Sequence, residues 1–102
     1  MEATAEARTY NGWTNYETWA VKLWMDNDEG EYREYQRLAR RAGSIYELMT
    51  TIKDAHEEAA PDLGGSVFGD LLSAAMSEVN WYEIAESLYN DAREDEDEDE
   101  ES

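Results

Sequence analysis

The sole histidine and the paired acids are the side chains of this sequence that most often do chemistry. His56 is followed directly by Glu57 and Glu58. A zinc-protease helix needs a second histidine four residues further on, and alanine stands at position 60. Two catalytic carboxylates need different environments, because burial must raise the pKa of one of them. The pattern shows no such difference, so we expect all three side chains on a helix surface.

Two loop segments resemble ligand-binding motifs but fail on spacing. The segment from Asp26 to Gly30 resembles the start of a calcium-binding loop. That loop needs glycine at its sixth position and a bidentate acid at its twelfth, where this sequence has Glu31 and Arg37. The glycine-rich segment 64–66 lacks the lysine and the spacing of a phosphate-binding loop. Neither segment predicts a ligand site.

Four arginines follow one another at helical spacing, and the chain has no cysteine. The arginines have the chemistry to grip a phosphate, but on so acidic a surface we expect them to pair with Asp and Glu. They are Arg33, Arg37, Arg40 and Arg41. Without cysteine the chain has no disulfide, thiolate metal site or thiol nucleophile. The sequence therefore predicts a protein that is not an enzyme and has no cofactor and no metal site.

The chain of 102 residues is strongly acidic, with 26 Asp and Glu against 8 Lys and Arg and a formal charge of −18. Residues 94–102 read EDEDEDEES, so the rest of the chain still carries −10. The acidic run repels itself and has nothing to bury, which predicts disorder there. Direct nucleic-acid binders normally carry the opposite charge. We therefore expect no direct contact with nucleic acid.

Two explanations of the acidic body stay open. An acid-rich, alanine-rich and lysine-poor composition is typical of proteins from salt-loving organisms, in which ambient salt screens self-repulsion. The charge is otherwise a means of attracting a basic partner. No apolar run approaches the ~20 residues that span a bilayer, and residues 1–10 lack the basic and apolar regions of a signal peptide. We therefore expect a cytoplasmic protein with no membrane partner.

Apolar residues recur at helical spacing in five segments, and most of these begin with a capping pattern. Thr14 with Glu17, and Ser44 with Glu47, form capping boxes. The predicted cap residues are Thr14, Asp28 or Glu29, Ser44, Ser66 and Asn80. The sequence predicts an all-α fold, a compact single domain of four to five short helices. That domain covers 10–93, between a flexible arm (1–9) and a disordered acidic tail (94–102).

The apolar period also predicts which side of each helix faces the core. In the first helix this side contains Tyr16, Trp19, Ala20 and Leu23, widened by Val21, Trp24 and Met25. The inward residues of the later helices are Tyr32, Tyr35, Leu38, Ala39 and Ala42; Ile45, Leu48, Met49, Ile52, Ala55 and Ala59; Val67, Phe68, Leu71, Leu72, Ala75 and Val79; and Trp81, Ile84, Ala85, Leu88 and Tyr89. Trp19 and Trp81 are thus predicted core residues. Trp13 and Trp24 fit either the core or an exposed aromatic interface.

Two segments resemble a known family. The first runs from Asn11 to Glu29 and begins with NGWTNYETW; the second runs from Leu71 to Ala85 and contains EVNW. Together they resemble a family of small uncharacterised proteins found on phages, plasmids and other mobile elements of bacteria and archaea. The resemblance covers about a third of the chain. It implies an accessory protein of a mobile element and supplies no functional residue.

Two functions fit these observations. The first is an acidic DNA mimic with an anti-restriction or anti-CRISPR role, whose carboxylates occupy the basic groove of a host nuclease or CRISPR complex. Its candidate residues are Asp54, Glu57, Glu58, Glu83, Glu86 and Asp91. The alternative is a protein-binding regulatory module with an aromatic patch around Trp13 and Trp24, its acidity reflecting only a halophilic host. Salt should abolish binding by a mimic, whereas an aromatic interface should tolerate it.

Salt should stabilise the folded domain, because screening reduces repulsion among the charges that remain without the tail. The test compares the thermal unfolding midpoint of a chain lacking 94–102 at low chloride and at about 1 M chloride. We expect the midpoint to rise with salt. A midpoint that is constant or falls contradicts this expectation.

Overall fold

The computed structural model describes residues 10–101, with side chains as far as Glu94, and contains five helices. They are α1 (Tyr16–Asn27), α2 (Glu29–Arg41), α3 (Ile45–Ala59), α4 (Val67–Glu78) and α5 (Trp81–Glu101). No strand occurs between residues 10 and 101, so the predicted all-α fold is confirmed. The predicted arm, 1–9, lies outside the described residues. α5 extends into 94–102, but side chains after Glu94 are outside the described part, and disorder of the tail stays a prediction.

Helix α5 lies at the centre of the fold, because α1, α2 and α3 all pack against it. α1 also contacts α2 and α4. The guanidinium of Arg93 donates to the carbonyl oxygens of Ala39 and Ala42, both at 2.9 Å, and so satisfies the last turn of α2. The buried apolar core consists of Met25, Tyr35, Ala39, Leu48, Ile52, Val79, Trp81, Ile84, Ala85, Leu88 and Ala92.

The helix starts agree closely with the sequence, because capping is a local interaction. In each case a cap side chain accepts from the backbone N–H three residues on, and the caps are Asn15, Asp28, Ser44, Ser66 and Asn80. The prediction that Thr14 caps α1 is wrong. Asn15 caps it through a 2.9 Å bond from the Thr18 N–H, and the Thr14 N–H instead donates to Oε1 of Glu83 at 3.1 Å.

A tight turn precedes α1. Tyr10 and Trp13 exchange two backbone hydrogen bonds of 2.9 Å across the turn residues Asn11 and Gly12. Both turn residues have positive φ, +53° and +89°, which a type I′ turn requires and which Asn-Gly tolerates best. The turn directs the Trp13 ring against the core. The sequence NGW is therefore explained by backbone conformation and packing.

A buried hydroxyl joins the start of α1 to the start of α5. Thr18 is 0% exposed, and its Oγ1 donates to the Asn15 cap oxygen at 2.6 Å. The Oγ1 of Thr18 also accepts from the backbone N–H of Asn80, the cap residue of α5, at 2.8 Å. Around it, the Asn15 side chain donates to the carbonyl oxygen of Glu78 at 2.8 Å. We call Asn15, Thr18 and Asn80, with the Thr14–Glu83 bond, the cap network.

The cap network explains why part of the predicted inward face of α1 is wrong, although Met25 is buried and Val21 packs against the core as predicted. The buried residues of α1 are Thr18 and Met25, whereas Tyr16 and Leu23 are exposed. Sequence periodicity counts threonine as polar, but a hydroxyl whose hydrogen bonds are satisfied can be buried. In α2, α3 and α5 the central inward positions are buried or packed on the core as predicted. The exposed exceptions are Tyr32, Ala55 and Ala59.

Replacement of Thr18 by valine should lower the free energy of unfolding by about 1–3 kcal/mol. Valine keeps the shape of threonine but leaves the Asn80 N–H without its acceptor. Urea unfolding of the wild type, Thr18→Val and Thr18→Ser measures the effect. Serine keeps the hydroxyl, so Thr18→Ser should be the more stable variant. A Thr18→Val protein as stable as the wild type would show that the cap network is dispensable.

The two tryptophans predicted as core residues should differ in their effect on stability. Trp81 is 7% exposed within the core, so Trp81→Ala should cost about 3–5 kcal/mol. Trp19 is half-buried in a surface cluster with Tyr10 and Tyr16, with ring centroids 5.2 and 5.6 Å away, and Trp19→Ala should cost less. Thermal or urea unfolding ranks the two variants. Equal losses would contradict this assignment.

Candidate protein-binding surface

Helix α4 is apolar, yet none of its residues is buried. Val67, Phe68 and Leu71 are exposed by 62%, 67% and 63%, respectively, so the prediction that they face inward is wrong. The physical reason is the position of the helix. Between residues 10 and 101, α1 is the only helix that packs against α4. The apolar period of α4 is real, but no other part of the described chain covers it.

Both ends of α4 are nevertheless fastened. At its start, the Ser66 hydroxyl donates to the Leu63 carbonyl at 2.8 Å and accepts from the Gly69 N–H at 3.1 Å. A Cβ on Gly69 would lie 2.5 Å from the carbonyl oxygen of Gly64, so only glycine permits this close approach. At its end, the Glu78 carbonyl accepts a hydrogen bond from the side chain of Asn15, a member of the cap network. α4 is thus held at both ends and exposed along its length.

An open cleft of about 630 Å³ separates α4 from α3 and the start of α5. This volume is in the range of ligand-binding clefts. The wall formed by α4 includes Leu72 and Met76, the α3 wall includes Lys53 and Glu57, and Trp81 lies at the start of α5. The remaining lining residues are Ala60, Pro61, Asp62, Leu63, Gly64, Gly69, Ser73, Ser77 and Val79. The cleft is therefore mixed along α4, where Leu72 and Met76 lie beside Ser73 and Ser77, and charged along α3.

The chain around the cleft is acidic. Residues 53–81 contain six carboxylates and one ammonium group, that of Lys53. The six are Asp54, Glu57, Glu58, Asp62, Asp70 and Glu78. The ion pairs found among the described side chains lie in α1 and α2: Lys22 with Asp26, Arg33 with Glu29 and Arg37 with Glu34. None of the six carboxylates is neutralised by a described basic side chain, so the potential around the cleft is negative.

The structure does not bring the six predicted partner-binding acids to one surface. Asp54, Glu57 and Glu58 are exposed on α3, away from its buried residues, and Glu57 lines the cleft. Glu83 is half-buried and bonded to the Thr14 N–H, so its predicted position on a solvated face is wrong. The physical reason is the turn before α1, which brings that N–H to the Glu83 carboxylate.

The other two predicted acids lie apart from the α3 group. Glu86 lines a shallow depression with Trp13, beside the turn that precedes α1. Asp91 lines a narrow crevice between α2 and α5 that also contains Arg40. Three of the six acids therefore lie together on α3, Glu83 and Glu86 share the depression beside Trp13, and Asp91 lies apart from both groups.

The two tryptophans that fitted either core or interface are separated by the structure. Trp13 is half-buried against the core, with the Lys22 Nζ 5.9 Å from its ring centroid. Trp24 is 72% exposed in the second half of α1, beside the exposed Leu23. Neither tryptophan lines the cleft. Trp24 is therefore the more exposed of the two.

The ring of His56 packs against the aromatic rings of Tyr35 and Trp81, which corrects its predicted position on a helix surface. Its ring is half-buried and stacks on Tyr35 at 5.8 Å and against Trp81 at 5.2 Å. Because a carbonyl only accepts, the 2.9 Å contact with the Ile52 oxygen places a hydrogen on Nδ1.

Burial, and then the carboxylates of Glu31 and Glu34, raise the pKa of Tyr35 above its ordinary value.

Within the described residues, no group of three or more His, Asp and Glu side chains is arranged to hold a metal ion. The described helices also include none that is long and apolar enough to cross a bilayer. Sequence reasoning missed the cleft beside α4. The available signals were the apolar arc of α4 and the Pro-Gly-rich loop before it, but neither shows where α4 lies relative to α3.

Comparison with curated proteins and with solved structures gave no match. A family model described as a family of unknown function, DUF7249, matches residues 6–101. This match covers nearly the whole chain and includes every helix described above. The chain therefore belongs to the family of unknown function DUF7249.

Proposed function

We propose that this protein acts by binding another protein through α4 and the cleft beside it. The observation that carries the proposal is the row of exposed apolar side chains on α4. Soluble proteins commonly expose single apolar residues, whereas adjacent ones that border a cleft mark interaction sites. We call Val67, Phe68 and Leu71, with Leu72 and Met76 of the cleft wall, the docking surface. These residues form one apolar arc on α4.

The acidity of the chain supports a basic partner. An unneutralised negative surface attracts a positively charged protein and raises its association rate, while apolar contacts slow its dissociation. Proteins that handle nucleic acid have basic surfaces. If the chain is an accessory protein of a mobile element, as its resemblance suggests, a host nuclease or CRISPR complex is the natural partner of this kind.

A DNA mimic is the second candidate function, and one observation favours it. Asp54, Glu57 and Glu58 form an exposed acidic face on α3 that no described basic side chain neutralises. Carboxylates fixed on a helix lose less entropy on binding than those of a flexible tail. The exposed apolar side chains of α4 have no role in such a mimic, which is why we place docking through α4 first.

Capture from host lysate should distinguish the two functions. The tagged full chain is compared with Phe68→Ser/Leu71→Ser and with Asp54→Asn/Glu57→Gln/Glu58→Gln. Docking through α4 predicts that the captured protein is lost with the serine variant and retained at about 0.5 M salt, where long-range charge effects are screened. Mimicry predicts loss in high salt and with the neutralised variant.

Two controls make the comparison specific. Tyr46→Ser removes an exposed aromatic side chain from α3, at 68% exposure, and should change nothing. Trp24→Ser tests whether the exposed tryptophan of α1 takes part. Because Phe68 and Leu71 are exposed, their replacement should alter the unfolding free energy by less than about 0.5 kcal/mol. Capture that is unaffected by the α4 variant would reject the docking function.

A further inference from the structure

We infer that the occupant of the cleft is a cationic amphipathic helix of the partner protein, lying alongside α4. This inference rests on the proposed function and specifies the chemistry of the partner. Two features carry it: the apolar arc of α4, which enters the cleft at Leu72 and Met76 and continues outside it, and an acidic border that only a positively charged segment neutralises.

The apolar arc lies on a helix whose length matches that of a docked helix. α4 has 12 residues and is therefore about 18 Å long, which matches three turns of a docked helix. Successive residues of a helix are about 100° apart, so Val67, Leu71, Phe68, Leu72 and Met76 form a continuous arc of about half the circumference. The arc runs from the outer surface of α4 into the cleft. An amphipathic helix presents a complementary apolar stripe at i, i+3, i+4 and i+7.

Met76 and Trp81 suit such an occupant. Met76 on the α4 wall has a flexible, polarisable side chain that adapts to different apolar partners. Trp81 is buried at the junction of the cleft with the core, so it makes the base of the cleft rigid. Because both ends of α4 are held, the occupant meets a helix that is already in place.

The charges around the cleft decide which helix fits. Glu57 and Asp62 line the cleft, and Asp54, Glu58 and Asp70 lie on the elements that border it. Lysines and arginines flanking an apolar stripe would pair with these carboxylates. Lys53 is the one cation of the lining and is outnumbered by the acids.

The same charges argue against occupants from this chain. A second copy would bring another −18 to the interface, and the acidic segment 94–102 has neither apolar side chains nor positive charge. Both would be repelled from the cleft border. A partner helix of opposite charge meets neither obstacle.

The test uses a synthetic peptide of about 14 residues, long enough for the length of α4, with leucines at helical spacing and lysines elsewhere. One control peptide has the same composition in an order without helical periodicity, and another has glutamate in place of lysine. Binding to the full chain is measured by fluorescence anisotropy, and the site is mapped by amide chemical-shift changes in ¹⁵N-labelled protein. Sedimentation of the free protein shows whether it self-associates.

We expect the leucine–lysine peptide to bind with shift changes concentrated in residues 53–81, and to bind at least about tenfold more tightly than either control peptide. Phe68→Ser/Leu71→Ser should weaken binding about tenfold or more, because each apolar side chain removed forfeits its burial. Tyr46→Ser should leave the affinity unchanged. The free protein should be monomeric.

Three results would overturn the inference. They are equal affinity for the control peptide without helical periodicity, chemical-shift changes confined to residues outside 53–81, and self-association that Phe68→Ser/Leu71→Ser abolishes. Each has a separate consequence for the proposed function. If the peptide fails but lysate capture still depends on Phe68 and Leu71, docking through α4 stands and only the helical, cationic occupant is wrong. If the peptide fails to bind and lysate capture does not depend on Phe68 and Leu71, both the inference and the proposed function are rejected.

Discussion

The fold depends on the buried hydroxyl of Thr18, which connects the starts of two helices that are distant in sequence. A cap residue ordinarily satisfies only its own helix. Here the Oγ1 of Thr18 donates to the cap of α1 and accepts from the backbone of Asn80, the cap of α5. Because α2 and α3 pack along α5, this oxygen joins α1 to the helix around which the core is built. Few side chains other than threonine and serine can donate and accept at so small a site.

The cap network also explains why α4 is exposed. The junction between α4 and α5 is bound to α1 through the Glu78 carbonyl and the Asn80 N–H, and the start of α4 is bound to the preceding loop through the Ser66 hydroxyl. Hydrogen bonds therefore fix both ends of α4, and its stability does not require burial of its apolar face. That face is left available, next to a cleft that a more deeply packed helix would have filled.

The sequence predicts the local features of this fold well and the relations between helices poorly. Helix starts at Asp28, Ser44, Ser66 and Asn80 are predictable because a cap and its amide are three residues apart. The burial of Thr18 is not, since its hydroxyl accepts from the backbone N–H of Asn80, far along the chain. Periodicity correctly shows the apolar side of α4, but it does not show whether the same chain covers that side. For the same reason, the carboxylates of α3 and α5 are recognisable as acids but not as separate groups.

Under the proposed binding function, charge and apolar exposure would contribute differently to recognition. The acidity extends over the whole sequence, as adaptation to salt would also produce, and a distributed charge attracts any basic surface with little discrimination. The exposed apolar residues of α4 are concentrated on one helix beside one cleft, so they restrict which surface can remain bound. Of the candidate residues recognised from sequence, Asp54, Glu57 and Glu58 lie near this cleft, where attraction and apolar contact act on the same partner. Selectivity would then come from α4, and the surrounding carboxylates would determine how fast the partner arrives.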